Sequence, residues 1–214
     1  MPQTVWIARH ANRLDFVNPE WFKTAERPYD PPLSDDGFLQ AQQLAKRLAG
    51  TGIAHIFASP FLRTVQTAYV VAKALAKPIK LESGLSEWLN PEWFPAMPQR
   101  LSPEALKALY PQIDLSYSSR VLPRYPETEE ECFKRTGATV RQLVAEFPED
   151  ILLVAHGASV LGSVMELGGF TTPPDLQVSL CCLFKFVRYA QEWVMELKGD
   201  TSHLSATETV IRFN

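Results

Sequence analysis

The stretch Ile151-Leu152-Leu153-Val154-Ala155-His156-Gly157 decides how this 214-residue chain folds. Five consecutive apolar residues show no alternation between an inner and an outer face. That predicts a strand covered on both sides, as in a parallel sheet between layers of helices. Thr4-Val5-Trp6-Ile7-Ala8 repeats the pattern near the start of the chain and runs into Arg9-His10. A third run, over 53–58, is stopped by Ser59-Pro60.

Helical spacing fills the intervals. After Ser34, a ready N-cap, Ala41, Leu44, Ala45 and Leu48 fall at i, i+3, i+4 and i+7. Val65, Ala68, Tyr69, Ala72 and Leu75 repeat that spacing, and Phe133, Gly137, Val140, Val144 and Phe147 mark a long helix before the 151–155 run. Two late β-like runs, 180–187 and 192–197, are expected to extend the sheet as an antiparallel hairpin at its edge. The predicted fold is α/β: a three-layer α/β/α sandwich with a mostly parallel central sheet, forming a single domain over 1–214.

Two segments break the rhythm. Residues 16–32 read as a long Pro-rich loop. Residues 88–126 hold seven of the seventeen prolines together with Trp88, Trp93, Phe94, Tyr110, Tyr117 and Tyr125. Such a segment serves either as a lid over a site or as a rigid cover for one end of the sheet.

Composition narrows the function. With 46% hydrophobic and 21% charged residues the chain has enough apolar material for a core, which excludes disorder as its main character. A net charge of −3 supplies no global attraction to nucleic acid or anionic lipid, so neither is an expected partner and any phosphate site must be local. Cys132, Cys181 and Cys182 are odd in number and lack CxxC spacing, which points to a reducing compartment. The β-like run at the start leaves no room for a signal peptide, and the apolar 151–168 stretch is interrupted by His156, Ser159, Ser163 and Glu166. The expected location is the cytoplasm.

Chemistry gathers where the three buried strands end: Arg9-His10 after the first, Ser59 to Arg63 after the second, His156-Gly157 after the third. In open α/β sheets the carboxyl ends of the strands form the ligand crevice, and the following helices aim their positive N-termini into it. Arg9 and Arg13 beside His10 disfavour the imidazolium and keep a neutral nitrogen available for attack. Clustered arginines call for an anion, and phosphate suits their planar forks. His55 and His203 read as ordinary hydrogen-bonded residues. Ser59 and Ser159 lie outside any GxSxG and suit hydrogen bonding near helix N-termini. Asp15 suits orienting Arg13, Asp30 lies in the Pro-rich loop, and Glu87 beside Trp88 reads in isolation as a solvated pair. Neither HExxH nor a closely spaced His/Asp cluster marks a metal site.

Four blocks in order, Arg9-His10-Ala11, Pro32-Leu33-Ser34-Asp35-Asp36-Gly37 with Gln40-Ala41, Ala58-Ser59-Pro60-Phe61-Leu62-Arg63-Thr64, and Val154-Ala155-His156-Gly157-Ala158-Ser159, resemble the histidine phosphatase (phosphoglycerate-mutase-like) superfamily over nearly the whole chain. His10-Ala11-Asn12-Arg13-Leu14-Asp15 and Gly84-Leu85-Ser86-Glu87-Trp88 are most similar to its Sts/TULA-type phosphatase domains. Ala11 replaces the usual Gly, and Asn12 stands where that group tends to place Glu.

The resemblance implies a phosphomonoesterase that needs no metal and no cofactor. It implies attack by His10 to form a phosphohistidine, with Arg9, Arg63 and His156 on the non-bridging oxygens and Arg13 as a further clamp. Glu87 is the implied proton donor, and Trp88 and Ser159 complete the expected substrate-binding set. The implied partner is a phosphorylated small molecule or a phosphotyrosine-containing protein, and a homodimer is compatible with the sequence. A phosphoglycerate mutase or sugar-bisphosphate phosphatase is the alternative, although Arg13 stands where the mutases continue differently. A phosphate-binding module without turnover is the third reading. Arg100, Arg120 and Arg124 would bind a second anionic group if they turn inward.

Overall fold

The computed structural model describes residues 2–205. Its strands are β1 (Thr4–Arg9), β2 (His55–Ala58), β3 (Ile79–Leu81), β4 (Ile151–Ala155), β5 (Leu183–Tyr189) and β6 (Glu192–Asp200). The helices are α1 (Leu14–Val17), α2 (Trp21–Thr24), α3 (Asp35–Leu48), α4 (Leu62–Leu75), α5 (Pro103–Leu109), α6 (Glu129–Glu146) and α7 (Gly157–Gly168). The six strands form one sheet in the order β3-β2-β4-β1-β5-β6.

β4 lies between β2 and β1 and pairs parallel with both, Leu153 facing Phe57 on one side and Ile7 on the other. Its continuous apolar run follows from that position. Leu152 and Val154 pack on one face with α3 and α4 residues such as Leu44, Leu48, Val65 and Val71. Ile151, Leu153 and Ala155 pack on the other with Val140, Leu143, Val160 and Val164 of α6 and α7. The sandwich is therefore three layers deep, and β1, β2 and β4 end at the same edge.

Local chemistry sets the helices. Ser34 Oγ accepts from Gly37 N (3.2 Å) at the start of α3, whose first turn carries Asp35 and Asp36 and whose last carries Lys46 and Arg47, in accord with the helix dipole. Gly37 is required by close approach: a Cβ there would lie 2.1 Å from the Asn12 carbonyl oxygen. Thr128 and Glu131 form a reciprocal capping box on α6.

The late hairpin occurs as expected, with β5 antiparallel to β1 and β6 at the edge. Residues 180–182 stay outside the strand because Cys181 takes a left-handed φ of 57° and donates its N–H to the His10 carbonyl (3.1 Å). β3 carries no sequence signal, being only three residues long. It is stitched to the 88–126 segment by Ile79 N to Gln112 O and Asp114 N to Ile79 O, both 2.8 Å. That segment divides in two. Leu106 and Ile113 join the core at the β3 edge, whereas Leu89 and Phe94 pack with Phe61 in a separate cluster beside Tyr29, Trp93 and Tyr125. The 16–32 loop contains the single turn α2 and is tied to α4 by Asp30 Oδ1, which accepts from Leu62 N (2.7 Å).

Candidate active site

His10 follows β1 directly, its own N–H bonded to the Ala155 carbonyl (2.9 Å), so the strand pairing that builds the sheet also places the imidazole. The ring is fully buried. Nδ1 lies 2.8 Å from the Ala11 carbonyl, which can only accept, so Nδ1 carries the proton and Nε2 presents a lone pair. Nε2 has no partner among the described residues. Burial, then the charges of Arg63, Arg9 and Arg13, hold the His10 pKa well below the ordinary imidazole value.

His156 caps α7 at the end of β4, with its ring centroid 5.3 Å from that of His10. Its Nε2 is 2.8 Å from Ser59 Oγ at the end of β2, and its Nδ1 lies 3.4 Å from Glu87 Oε2. Burial, then Arg63 and His10, also depress its pKa well below the ordinary value. Arg63, in the first turn of α4, is 1% exposed and reaches Glu87 Oε2 through Nη2 (3.3 Å). Its Nε and Nη1 have no partner among the described residues, and burial and the Arg13 charge lower its pKa to about 10. Arg9 Nη1 donates to the Val178 carbonyl (2.7 Å). Arg13 grips Asp15 bidentately (2.9 and 2.5 Å) with its guanidinium 4.4 Å from the Phe16 ring, so Asp15 orients Arg13 as expected.

These groups adjoin a cavity of about 520 Å³ lined by Arg9, Arg13, Arg63, Glu87 and Trp88. The rest of its wall is largely apolar, with Phe22, Tyr29, Trp93, Phe94, Phe133 and Leu161 joined by the acidic residues Asp15 and Glu129. Trp88 and Trp93 meet edge to face at 5.0 Å. Phe22, Tyr29, Phe133 and Leu161 carry no sequence signal as site residues, since only folding brings the 16–32 loop, α6 and α7 to one opening.

Seven of the eight expected site residues gather here. Ser159 does not: it is fully buried and its Oγ donates to the Ser86 carbonyl (2.5 Å), because the third residue of α7 faces the interior. It is a structural tie to the segment carrying Glu87, and its assignment to substrate binding is corrected accordingly. Arg100 stacks on Phe61 (5.0 Å) and donates to Ser86 Oγ, Arg120 pairs with Glu146 (2.7 Å), and Arg124 is exposed. None of the three lines the cavity. The Ala11 methyl lies in the core beneath the site, while Asn12 bonds Asp36 Oδ2 (2.7 Å) at the start of α3.

His10, Glu87 and His156 offer donor atoms within 4.8 Å of one another, a set able in principle to hold a cation. Charge opposes it. Arg63 already engages Glu87, and the fields of Arg9, Arg13 and Arg63 converge on both histidines, a setting that suits a phosphate dianion.

A phosphate-handling histidine enzyme is the class this sheet edge and its His-Arg cluster define. Residues 5–201 match the model of the histidine phosphatase superfamily (branch 1), and the chain belongs to that superfamily. It is 28% identical over 254 residues to the transcription factor tau 55 kDa subunit of Saccharomyces cerevisiae, covering 96% of this chain and 57% of that protein. It is 36% identical over 145 residues to ubiquitin-associated and SH3 domain-containing protein A of Homo sapiens, covering 61% of this chain and 22% of that one. The chain thus spans little more than half of the yeast relative and under a quarter of the human one. In structure it resembles the ecdysone phosphate phosphatase of Bombix mori, solved in complex with tungstate, with a TM-score of 0.74 at 24% identity over 99% of this chain and 98% of that one.

Proposed function

We propose that the chain is a phosphomonoesterase that works through a phosphohistidine on His10 and prefers phosphate esters of aromatic alcohols, aryl phosphates or phosphotyrosine. The observation that carries this reading is a buried, neutral His10 whose Nδ1 proton is committed to the Ala11 carbonyl, leaving Nε2 as nucleophile among arginines. In the first step the Nε2–phosphorus bond forms as the ester P–O bond breaks, and Glu87 gives its proton to the departing oxygen. In the second, Glu87 takes a proton from water as the new O–P bond forms and the N–P bond breaks. Arg9, Arg13, Arg63 and His156 hold the non-bridging oxygens through both steps, since phosphoryl transfer is catalysed chiefly by positioning and charge stabilisation.

The apolar wall supports the aromatic preference. Burying a Phe-sized group contributes about 1.5–3 kcal/mol, or roughly ten- to a hundredfold in specificity. The outward courses of Arg120 and Arg124 and the stacking of Arg100 on Phe61 leave a second phosphate without a charged partner at this opening, which disfavours the mutase and bisphosphatase alternative. The yeast relative is a transcription-factor subunit, but binding without turnover would need neither a free Nε2 nor an adjacent carboxyl. Among the described residues no helix is long and apolar enough to cross a membrane. The three cysteines are buried and free, which is compatible with a reducing compartment such as the cytoplasm.

The test is a substrate panel with purified protein in excess chelator. kcat/KM is expected to be at least tenfold higher for phenyl phosphate and a phosphotyrosine peptide than for 3-phosphoglycerate or a sugar bisphosphate, and to vanish in His10→Ala. The reverse order, or activity that a chelator abolishes and a divalent metal restores, overturns the proposal.

A further inference from the structure

We infer that Arg135 and Glu127, neither of which lines the cavity, form a buried positioning pair that aims Glu87 by clamping the backbone on both sides of it. Arg135 projects from α6 and is 7% exposed. Its Nε and Nη2 grip Glu127 Oε1 and Oε2 at 2.6 and 2.8 Å, a two-pronged fork. The remaining donors point at the segment that carries Glu87: Nη1 at the carbonyls of Gly84 (2.7 Å) and Ser86 (3.1 Å), Nη2 at that of Glu87 itself (3.2 Å). Glu127 holds the other side. Its Oε2 accepts from Leu89 N (3.3 Å), its N–H donates to the Leu89 carbonyl (3.1 Å), and its own carbonyl accepts the Trp88 indole N–H (2.8 Å). Ser159 adds a further bond to the Ser86 carbonyl.

Stability alone does not explain this arrangement. A buried ion pair gains little over well-packed apolar residues because both charges are desolvated. Here, apart from the bonds between the two charges and a contact of Arg135 Nη2 with Cys132 Sγ (3.4 Å), the prongs end on residues 84–89, the stretch with Glu87 at its centre and Trp88 on the cavity wall. Gly84 reinforces the fit, since a Cβ there would lie 2.1 Å from Thr139 Oγ1 of the same helix, so α6 presses directly on the segment. A displacement of 1 Å at a reacting group costs about a hundredfold in rate, so clamping the Glu87 peptide has a direct catalytic return.

The inference rests on Glu87 as proton donor, and the experiment separates the two claims. kcat/KM is measured across phosphate esters from p-nitrophenyl to alkyl for the wild type and for Glu87→Gln, Arg135→Lys, Glu127→Gln and Ser159→Ala, with thermal unfolding followed for each. A proton donor matters most for poor leaving groups, so Glu87→Gln should lose far more on alkyl than on p-nitrophenyl phosphate. Arg135→Lys and Glu127→Gln should reproduce that slope, losing roughly 10- to 100-fold on alkyl esters and less than threefold on p-nitrophenyl phosphate. Arg135→Lys added to Glu87→Gln should steepen the slope no further. Ser159→Ala, the mildest change, should give the same pattern at a few-fold size, and it decides the matter if the two charge variants fail to fold. A selective loss for Glu87→Gln with uniform or no losses in the clamp variants overturns the positioning role alone; uniform losses for Glu87→Gln overturn both.

Discussion

At the residue scale the site is a problem in charge. Two imidazoles and the Arg63 guanidinium are buried together, and each is pushed toward its neutral form by burial and by neighbouring cations. An arriving phosphate dianion reverses that balance, so its binding is strongest where the protein alone is least comfortable. Arg63 contributes most directly, because two of its buried nitrogens are without protein partners among the described residues and so are available to oxygen. Arg63→Ala is expected to lower kcat/KM for p-nitrophenyl phosphate by about 10²–10³, as for loss of one preorganised donor to transition-state charge, while leaving the protein folded. A change under about fivefold in steady-state assays would place the charge stabilisation elsewhere.

At the scale of elements, the loop after β1 and the start of α3 behave as one unit. The Asn12 carbonyl accepts both Ser34 N (3.0 Å) and Ser34 Oγ (3.3 Å), the Asn12 N–H reaches Gln40 Oε1 (2.9 Å), and Gly37 presses against the Asn12 peptide. The helix that packs on the sheet therefore also fixes Asn12, two residues after the proposed nucleophile, while the intervening Ala11 N–H is held by Thr67 Oγ1 of α4 (3.1 Å). Gly37→Ala forces a methyl into the Asn12 carbonyl, which should destabilise the fold by about 1–3 kcal/mol and lower kcat in proportion to the displacement of His10. Denaturant unfolding and single-turnover kinetics read the two effects separately, and an Ala variant with unchanged kcat would uncouple helix and nucleophile.

At the scale of the whole molecule, the buried histidines tie stability to pH. Unfolded imidazoles protonate near 6.5, whereas His10 and His156 stay neutral to well below that in the folded state. As pH falls through and below about 6.5 the unfolded chain binds the extra protons, so the stability held in full above that pH is lost on acidification. The slope is about 1.4 kcal/mol per pH unit for each such histidine. Tm measured from pH 7.5 to 5 is expected to fall, and His156→Gln should remove the share of one proton from the slope. An unchanged slope would mean that His156 titrates normally in the fold. Activity should follow the opposite economy of charge, with a neutral His10 keeping the acid limb of kcat/KM below the usual imidazole range.

The local sequence determined three of the four parallel strands, the late antiparallel hairpin and the helices on either face. These depend on period and burial, and the run at 151–155, the Ser34 cap and the 3.6-residue spacing of Leu44 and Leu48 record both directly. It also marked His10, Arg63 and His156 as the candidates for the chemistry, because polar residues at the ends of buried strands sit in short, contiguous motifs. Glu87 was legible only through its family resemblance, since a Glu beside a Trp has no local signal. Tertiary structure alone decided the rest. Whether Ser159 faces substrate or the interior depends on how α7 rolls against the segment before Trp88; whether Arg100, Arg120 and Arg124 serve the site depends on where Glu146 and Phe61 come to lie. The apolar wall and the Arg135–Glu127 clamp join residues from 22 to 161. Contacts across such separations are created by closure of the chain, and their partners leave no periodicity in either stretch of sequence.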